Sequence, residues 1–317
     1  MTASCYALFK QCYLSLSRFR AIRCTREWVR ANIQMRYWPW YDRKPTTCGI
    51  EKNPAAYERE LIVSLTTFPA RIHMVHYAIR SLLRQSLKPN RVVLWLGEDK
   101  FPGKEEALPK DLLDLQAFGL EIRWCQDAGP VTKLIYSLQT WPEAVIVTAD
   151  DDSHYPRHWL RTLYHSYLGN PECIHTGVVH QIRFDASGYP ESFGNWSQWH
   201  PSKVPLFRNT HTGFSGSVYP PHCLHPDVAD VEKFAKLSPT ADDFWFWAMA
   251  VRAGTKINLV QENRRLLQDH QNPRVRKTPR LWQQNSKGGG NTRCFFQLLQ
   301  AYPEIVEKLQ QERDIPD

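Results

Sequence analysis

Three consecutive aspartates, Asp150, Asp151 and Asp152, lie in the string TADDDSHYP at 148–156, directly after the apolar run AVIVT at 144–148. Carboxylates this close repel one another, so a counter-charge is expected beside them. A hard cation such as Mg²⁺ or Mn²⁺, which also binds phosphate oxygens, would supply it. Alternate residues of an extended segment point the same way, so Asp150 and Asp152 would share one face. That spacing suits one carboxylate directed to a ribose or a metal-bound water and the other bound to the metal. The alternative is a solvated acidic turn before a helix that starts at Pro156.

A second pair of carboxylates, Asp242 and Asp243, opens the string ADDFWFWAMAVRAG at 241–254, where we predict a helix over about 242–252. Thr240 and Asp243 have the spacing of a capping box, and aspartates are favoured at the positive end of a helix for structural reasons alone. The same position would keep Asp243 ionised, as a base that accepts a hydroxyl proton must be. The helix start alone does not decide between the structural and the catalytic interpretation.

The elements that must position these residues are predicted from short apolar runs rich in β-branched residues, at 61–65, 92–96, 120–124 and 144–148. Helical patterns over about 72–86, 109–118 and 131–140 separate them. This alternation predicts an α/β fold with a mostly parallel sheet flanked by helices. In such sheets ligands bind beyond the carboxyl ends of the strands, where 66–71, 125–133 and 149–154 lie.

The second half of the chain is less regular. We predict strands at 174–184, 213–219 and 256–260, an aromatic loop over 185–212 and a last helix over 294–312. Proline and glycine among basic residues at 273–293 indicate a loop.

Four strings occur in a telling order: SLTTFPARI at 64–72, the DxD within TADDD at 148–152, GFSGSVYPP at 213–221 and ADDFWFWA at 241–248. Together they resemble bacterial nucleotide-sugar-dependent glycosyltransferases of the GT-A fold, close to the inverting family 2 type. The resemblance covers about residues 60–270. It implies a Rossmann-like sheet and metal-dependent transfer of a sugar from a nucleotide-diphosphate sugar to a hydroxyl group.

The resemblance also implies roles on the donor side of the site. The first strand and its loop would bind the nucleotide, and an aspartate and a lysine in CQDAGPVTK at 125–133 would meet the base and the diphosphate. The DxD pair would hold Mn²⁺ or Mg²⁺, with the middle aspartate beside the nucleotide. The residues concerned are Thr66, Thr67, Arg71, Asp127, Lys133, Asp150, Asp151 and Asp152. A surface ion pair for Arg71, a turn for Asp127 and a solvated position for Lys133 are the structural alternatives.

On the acceptor side, the resemblance makes Asp243 the catalytic base, with Asp242 as the fallback. A glycine-containing loop with Gly213 and Gly216 would approach the donor sugar and the acceptor, although a β-bulge is an alternative use of glycine. Three further residues have two interpretations each. Trp196 and Trp199 would stack on sugar rings or pack in the core. His270 would either complete the ligand set of the metal or be a loop residue whose hydrogen bonds are made within the protein.

Two departures from the family pattern matter. Asp242 stands where a glutamate is usual, and the membrane helices of processive synthases are absent, which favours limited sugar addition. The implied acceptor is a cell-surface glycan of the capsule or lipopolysaccharide type, free or lipid-linked. Two rivals remain: a nucleotidyltransferase that makes nucleotide sugars, although SLTTFPARI lacks its expected glycine-rich basic loop, and an inactive glycan-binding protein.

Most of the net positive charge of the chain lies in its N-terminal segment. Of the net charge of +8 over 317 residues, residues 1–44 carry +7, from nine Lys or Arg and two Asp or Glu. The rest is nearly neutral, so nucleic acid is not an expected partner. The basic arm is predicted to be an amphipathic helix that lies on an anionic membrane surface or packs on the domain.

The chain is predicted to divide into an arm and linker at 1–57, a glycosyltransferase domain at 58–272, and a basic loop and helix at 273–317. The eight cysteines include no C-x-x-C pair, no run approaches the roughly 18 apolar residues of a spanning helix, and no secretory signal is recognised. We therefore expect reduced thiols and a cytoplasmic protein, peripheral on the inner membrane face if the arm binds lipid.

Overall fold

The computed structural model describes residues 43–196, 204–261, 278, 285 and 289–315. The chain divides into two compact units, Met1–Arg43 and Lys44–Asp317. The predicted N-terminal helical arm lies outside the described residues, as does most of the predicted loop at 273–293. Among the described residues, no helix has both the length and the hydrophobicity needed to cross a membrane.

A seven-stranded sheet forms the centre of the second unit. Its strands are β1 (Leu61–Thr66), β2 (Arg91–Gly97), β3 (Leu120–Cys125), β4 (Val145–Thr148), β5 (Ile174–Thr176), β8 (Ser217–Tyr219) and β9 (Ile257–Leu259). The order across the sheet is β3-β2-β1-β4-β8-β5-β9. β1 to β4 are parallel, as are β5 and β9, whereas β8 is antiparallel to both of its neighbours. The predicted mostly parallel α/β architecture is confirmed.

A separate two-stranded antiparallel sheet consists of β6 (Val179–Gln181) and β7 (Asn209–His211). The single strand predicted at 174–184 is therefore wrong, because its two halves pair in different sheets. The loop predicted over 185–212 contains β7, and the strand predicted at 213–219 begins only at Ser217, after a 3₁₀ turn at Gly213–Ser215.

The helices are α1 (Val75–Leu82), α2 (Lys110–Leu113), α3 (Thr132–Thr140), α4 (Trp159–Gly169), α5 (Val231–Leu237), α6 (Asp242–Ala253), α7 (Gly290–Ala301) and α8 (Pro303–Gln310). α1 is shorter than predicted, and a 3₁₀ segment, Asp114–Phe118, replaces the second half of the helix predicted at 109–118. The helix predicted at 294–312 is two helices. A proline has no N–H to continue a helix but suits a first turn, so α8 starts anew at Pro303.

Both faces of the sheet are covered, which explains why its strands read as continuous apolar runs. In β1, Leu61, Val63 and Leu65 point into one core cluster, which also contains apolar residues of α1 and α4. Ile62 points into the other cluster, which α3, α6, α7 and α8 share. α6 is apolar on nearly all sides and is buried along its length, so its first turn is held rigidly.

The strand order places a crevice between β1 and β4. From β1 the chain crosses to β2 and β3 on one side, and α3 then returns it to β4 on the other. Such a reversal is the usual ligand-binding place in open α/β sheets, because the loops that leave the two strands diverge there. β1 ends here at Thr66, with Thr67 next in the chain, and Ala149 and Asp150 follow the end of β4.

Candidate functional site

A cavity of about 720 Å³ opens at this crevice. Its volume lies within the range of about 300–1,000 Å³ that small-molecule sites occupy. It brings together most of the residues singled out in the sequence: Thr66, Thr67, Arg71, Asp127, Lys133, Asp150, Asp151, Asp152, Gly213, Asp242 and Asp243. These predicted residues lie up to 177 positions apart in the chain.

Arg71 and the middle aspartate of the acidic turn, Asp151, form a buried ion pair. Arg71 follows β1 on a 3₁₀ turn, Pro69–Arg71, and its Nη1 lies 2.6 Å from Oδ1 of Asp151 and 3.2 Å from Oδ2 of Asp152. The hydroxyl of Thr67 donates to the other oxygen of Asp151 at 2.5 Å. Both oxygens of Asp151 are therefore engaged by the protein, which gives this middle aspartate a structural role.

Lys133 connects the acidic turn to the first turn of α6. Its Nζ lies 2.8 Å from Oδ1 of Asp150 and 3.0 Å from Oδ2 of Asp242, and only 10% of its side chain is exposed. Burial lowers the pKa of Lys133, but Asp150, Asp242 and Asp243 together raise it well above its usual value, so the ammonium stays charged. Ser64 donates to the backbone carbonyl of Lys133 at 2.6 Å and fixes the start of α3.

Asp243 faces the cavity from the start of α6. Its Oδ1 accepts a hydrogen bond from the amide of Gly213 at 3.0 Å. The predicted capping box with Thr240 is wrong, because Ala241 is the N-cap residue and no side chain caps the helix. Burial, followed by repulsion from Asp242, raises the pKa of Asp243 to about 8, although Lys133 opposes the shift. The expectation that the helix start keeps this carboxylate ionised is therefore wrong at neutral pH.

The cavity holds more negative than positive charge. Among its described residues there are six aspartates, against Arg71 and Lys133 as the cations. Burial and then the charge of Asp151 and Asp150 raise the pKa of Asp152 to about 6. Buried carboxylates with raised pKa values indicate that the cavity would gain from an added cation.

The chemistry of these donors fits a hard divalent cation at Asp150 and Asp152. No three His, Cys, Asp or Glu side chains of the described residues form a ready-made metal cluster. Mg²⁺ typically binds through one or two carboxylates and takes its other ligands from substrate phosphates and water. The expectation that Asp150 and Asp152 face one metal stays a prediction. In the structure Asp150 pairs with Lys133 and Asp152 with Arg71.

Two predicted substrate contacts lie away from the cavity. Trp196 is 5% exposed, donates its indole N–H to the carbonyl of Glu191 at 2.8 Å and packs edge-on against Phe295, so it is a core residue. Gly216 has a φ of +81°, and a Cβ there would lie 2.3 Å from the Trp159 ring, so its glycine serves packing. Trp199 and His270 lie outside the described residues.

The cavity also contains residues that sequence reasoning missed. His180, Thr210 and His211 come from the two-stranded sheet, and Phe193 and Phe214 add aromatic rings. β7, which carries Thr210 and His211, lies within the stretch 185–212 that was predicted to be an aromatic loop. A usable signal was the position of His211, two residues before the glycine-containing string that starts at Gly213.

No protein-family model and no curated protein matches the chain. Solved structures do. A mannosyltransferase from Pyrobaculum calidifontis, PcManGT, in complex with GDP-Man and Mn²⁺, is 14% identical, with a TM-score of 0.41 over 94% of this chain and 87% of that one. A CMP:2-keto-3-deoxy-manno-octonic acid synthetase, complexed with CTP, is 15% identical, with a TM-score of 0.36 over 64% of this chain and 89% of that one. At TM-scores below 0.5, neither similarity assigns a function to this chain.

Proposed function

We propose that the protein is a glycosyltransferase that moves a sugar from a nucleotide-diphosphate sugar to an acceptor hydroxyl group, with inversion at the anomeric carbon. The observation that carries this proposal is the placement of Asp243 in the same cavity as the acidic turn of Asp150–152. A polyanionic donor and a hydroxyl acceptor need different groups, and this cavity supplies both.

The donor would bind at the carboxyl ends of β1 and β4. Thr66, Thr67 and Arg71 lie where the nucleotide is expected, and Lys133 supplies a fixed positive charge for the diphosphate. Asp150 and Asp152 would hold Mn²⁺ or Mg²⁺. When bound, such an ion neutralises charge that develops on the leaving diphosphate. Asp127, at the neighbouring strand end, is our candidate for contact with the base.

Asp243 is a better candidate for the base than Asp242. Asp242 is paired with Lys133 at 3.0 Å, so its carboxylate is already engaged by the protein. Asp243 has a raised pKa, near 8, and such a carboxylate takes a proton more readily than an ordinary one. Its hydrogen bond to the Gly213 amide directs the carboxylate, and a general base of this kind contributes about 10²–10⁴-fold to the rate.

The proposal is tested by incubating the full chain with a panel of nucleotide-diphosphate sugars and simple glycosides, and by measuring released nucleoside diphosphate. We expect turnover that requires Mn²⁺ or Mg²⁺, that a chelator stops, and that Asp243→Asn lowers by at least about 100-fold. Turnover without metal, or full activity in Asp152→Ala, would remove the metal from the proposal. Loss of activity in Asp242→Asn but not in Asp243→Asn would reverse the two roles.

The nucleotidyltransferase alternative predicts a different product. With a nucleoside triphosphate and a sugar phosphate it would release pyrophosphate, so both substrate sets should be offered to the same preparation. An inactive glycan-binding protein would bind glycosides without metal and release neither product.

The acceptor we propose is a growing cell-surface glycan of the capsule or lipopolysaccharide type. If it is lipid-linked, the basic segment at 1–44 would hold the enzyme at the inner membrane face through anionic lipids. Sedimentation with vesicles of anionic and of zwitterionic lipid tests this. Equal binding to both kinds of vesicle, or to neither, contradicts the membrane role.

A further inference from the structure

The two-stranded sheet contributes a different chemistry to the cavity from that of β1, β4 and α6. Its cavity residues are His180, Thr210 and His211, and none of them carries a carboxylate, an ammonium or a guanidinium group. Burial lowers the pKa of both histidines, that of His211 to about 3, so both rings are neutral in the physiological range. This side of the cavity therefore offers uncharged hydrogen-bonding groups.

His211 has one ring nitrogen engaged and one that has no partner. The residue is 2% exposed, and its Nε2 lies 2.9 Å from the hydroxyl oxygen of Tyr219. Its Nδ1 is buried and makes no hydrogen bond in the described structure. Nδ1 of His180 is in the same state. A buried polar atom without a partner is costly, and native proteins rarely keep one unless something else satisfies it.

Among the described residues, Nδ1 of His211 lacks a partner in either tautomer. If Nε2 accepts from Tyr219, Nδ1 carries a proton and lacks an acceptor; if Nε2 donates, Nδ1 is a lone pair that lacks a donor. A hydroxyl group satisfies either requirement, because it both donates and accepts. Phosphate oxygens satisfy only the first.

Aromatic rings adjoin these histidines in the cavity. Phe193, whose centroid is 5.1 Å from that of His180, lines the cavity together with Phe214 and Phe244. Apolar ring faces beside neutral hydrogen-bonding groups suit a pyranose, which has C–H faces and hydroxyl edges. They do not suit the diphosphate, which would be expected near the positive charges of Arg71 and Lys133.

We infer that the two-stranded sheet forms the sugar-binding side of the cavity and that Nδ1 of His211 hydrogen-bonds a hydroxyl group of a sugar ring. The inference rests on the proposed glycosyl transfer. The sugar belongs either to the donor or to the acceptor, and the experiment separates the two.

A pair of substitutions isolates the unpartnered nitrogen. The terminal atoms of asparagine are attached to Cγ, like Nδ1, whereas those of glutamine lie one bond further out, like Nε2. His211→Gln keeps a group for Tyr219 and loses the one at Nδ1, and His211→Asn does the reverse. Tyr219→Phe leaves Nδ1 in place and reports any merely structural effect.

Calorimetric titrations with UDP, GDP and their hexose derivatives, in Mn²⁺, give the first result. For a donor sugar, His211→Gln should weaken binding of the nucleotide sugar by about 3- to 10-fold and leave binding of the parent nucleotide unchanged. His211→Asn and Tyr219→Phe should stay within about 2-fold of wild type. For an acceptor sugar, the titrations should be unchanged and the KM for methyl glycosides should rise by the same factor in His211→Gln.

Three results overturn the inference while leaving the proposed function intact. In the first, His211→Gln changes neither the affinity for the nucleotide sugar nor the KM for methyl glycosides. In the second, it weakens binding of the nucleotide and of the nucleotide sugar equally. In the third, Tyr219→Phe has the same effect as His211→Gln. A wild-type protein that binds none of the nucleotide sugars overturns the proposed function itself, and the inference falls with it.

Discussion

Replacing Asp243 with asparagine is expected to stabilise the protein at neutral pH, although it should abolish the proposed catalysis. Oδ1 of Asp243 accepts the Gly213 amide at 3.0 Å, and the amide oxygen of asparagine can accept the same bond. The substitution therefore removes mainly an ionisable group. Burial and the neighbouring Asp242 raise the pKa of that group to about 8.

The sign of the effect follows from where the proton is held. Between about pH 4, where an unfolded aspartate ionises, and about pH 8, the folded chain keeps the proton of Asp243 and the unfolded chain releases it. Rising pH therefore favours unfolding in this window, by up to about 1.4 kcal/mol per pH unit. From pH 5 to pH 7 the limit is about 2.7 kcal/mol. Because Asp243 is partly exposed to the cavity, we expect about 1–2 kcal/mol.

Urea unfolding of wild type and Asp243→Asn at pH 5, 6 and 7, with a chelator present, measures this. The free energy of unfolding of the variant should exceed that of wild type by an amount that grows with pH. Asp227→Asn is the control with the opposite sign, because Arg252, 2.8 Å away, lowers the pKa of Asp227 and this variant should lose stability at neutral pH. A gap between wild type and Asp243→Asn that stays constant from pH 5 to pH 7 would refute the reasoning.

Three further predictions concern the same cavity. The kcat/KM of the wild type should rise with pH, reach half of its maximum near pH 8 and level off about one pH unit higher, because the proposed base, Asp243, must first lose its proton; a flat profile from pH 5 to pH 9 contradicts this. Arg71→Met should lower the free energy of unfolding by about 3–5 kcal/mol, since it leaves a buried carboxylate without its cation, and Arg71→Lys should recover part of the loss in urea titrations. Gly216→Ala should destabilise the protein by about 1–3 kcal/mol through its clash with Trp159. Gly213→Ala, whose Cβ would lie 2.9 Å from Oδ1 of Asp243, should lower activity but should lower the melting temperature less than Gly216→Ala does. Equal melting temperatures for the two alanine variants would contradict the distinction.

The parallel half of the fold was predictable because its strands are buried on both faces. The runs at 61–65 and 92–96 are apolar without alternating polar residues, which is typical of strands in a parallel sheet covered on both faces. They therefore indicate the α/β fold class directly. The short strands were not predictable. β5 and β6 have three residues each and are two residues apart, yet they pair in different sheets. Three residues are too few to show a period, so tertiary pairing decides where they go.

The sequence predicted that the site lies at the carboxyl ends of the parallel strands. The aspartates at 150–152 follow a buried strand, and parallel strands bring their carboxyl ends together. The pairing of charges was not predictable, because Lys133 and Arg71 reach their partners across 17 and 80 positions. Aromatic residues were the least informative, because the sequence around a tryptophan does not show whether it stacks on a ligand or packs in the core. Trp196 packs on Phe295.

In the proposed function, Asp150 and Asp152 bind a divalent cation together with a nucleotide diphosphate, in a cavity with excess negative charge. Electron paramagnetic resonance of Mn²⁺ measures this directly, because the signal of the free ion falls when it is bound. With wild type we predict weak Mn²⁺ binding alone and binding at least about 10-fold tighter when a nucleotide-diphosphate sugar is present, a gain that Asp152→Asn should lose. Mn²⁺ affinity that the nucleotide sugar does not change, or that Asp152→Asn retains in full, would contradict the account.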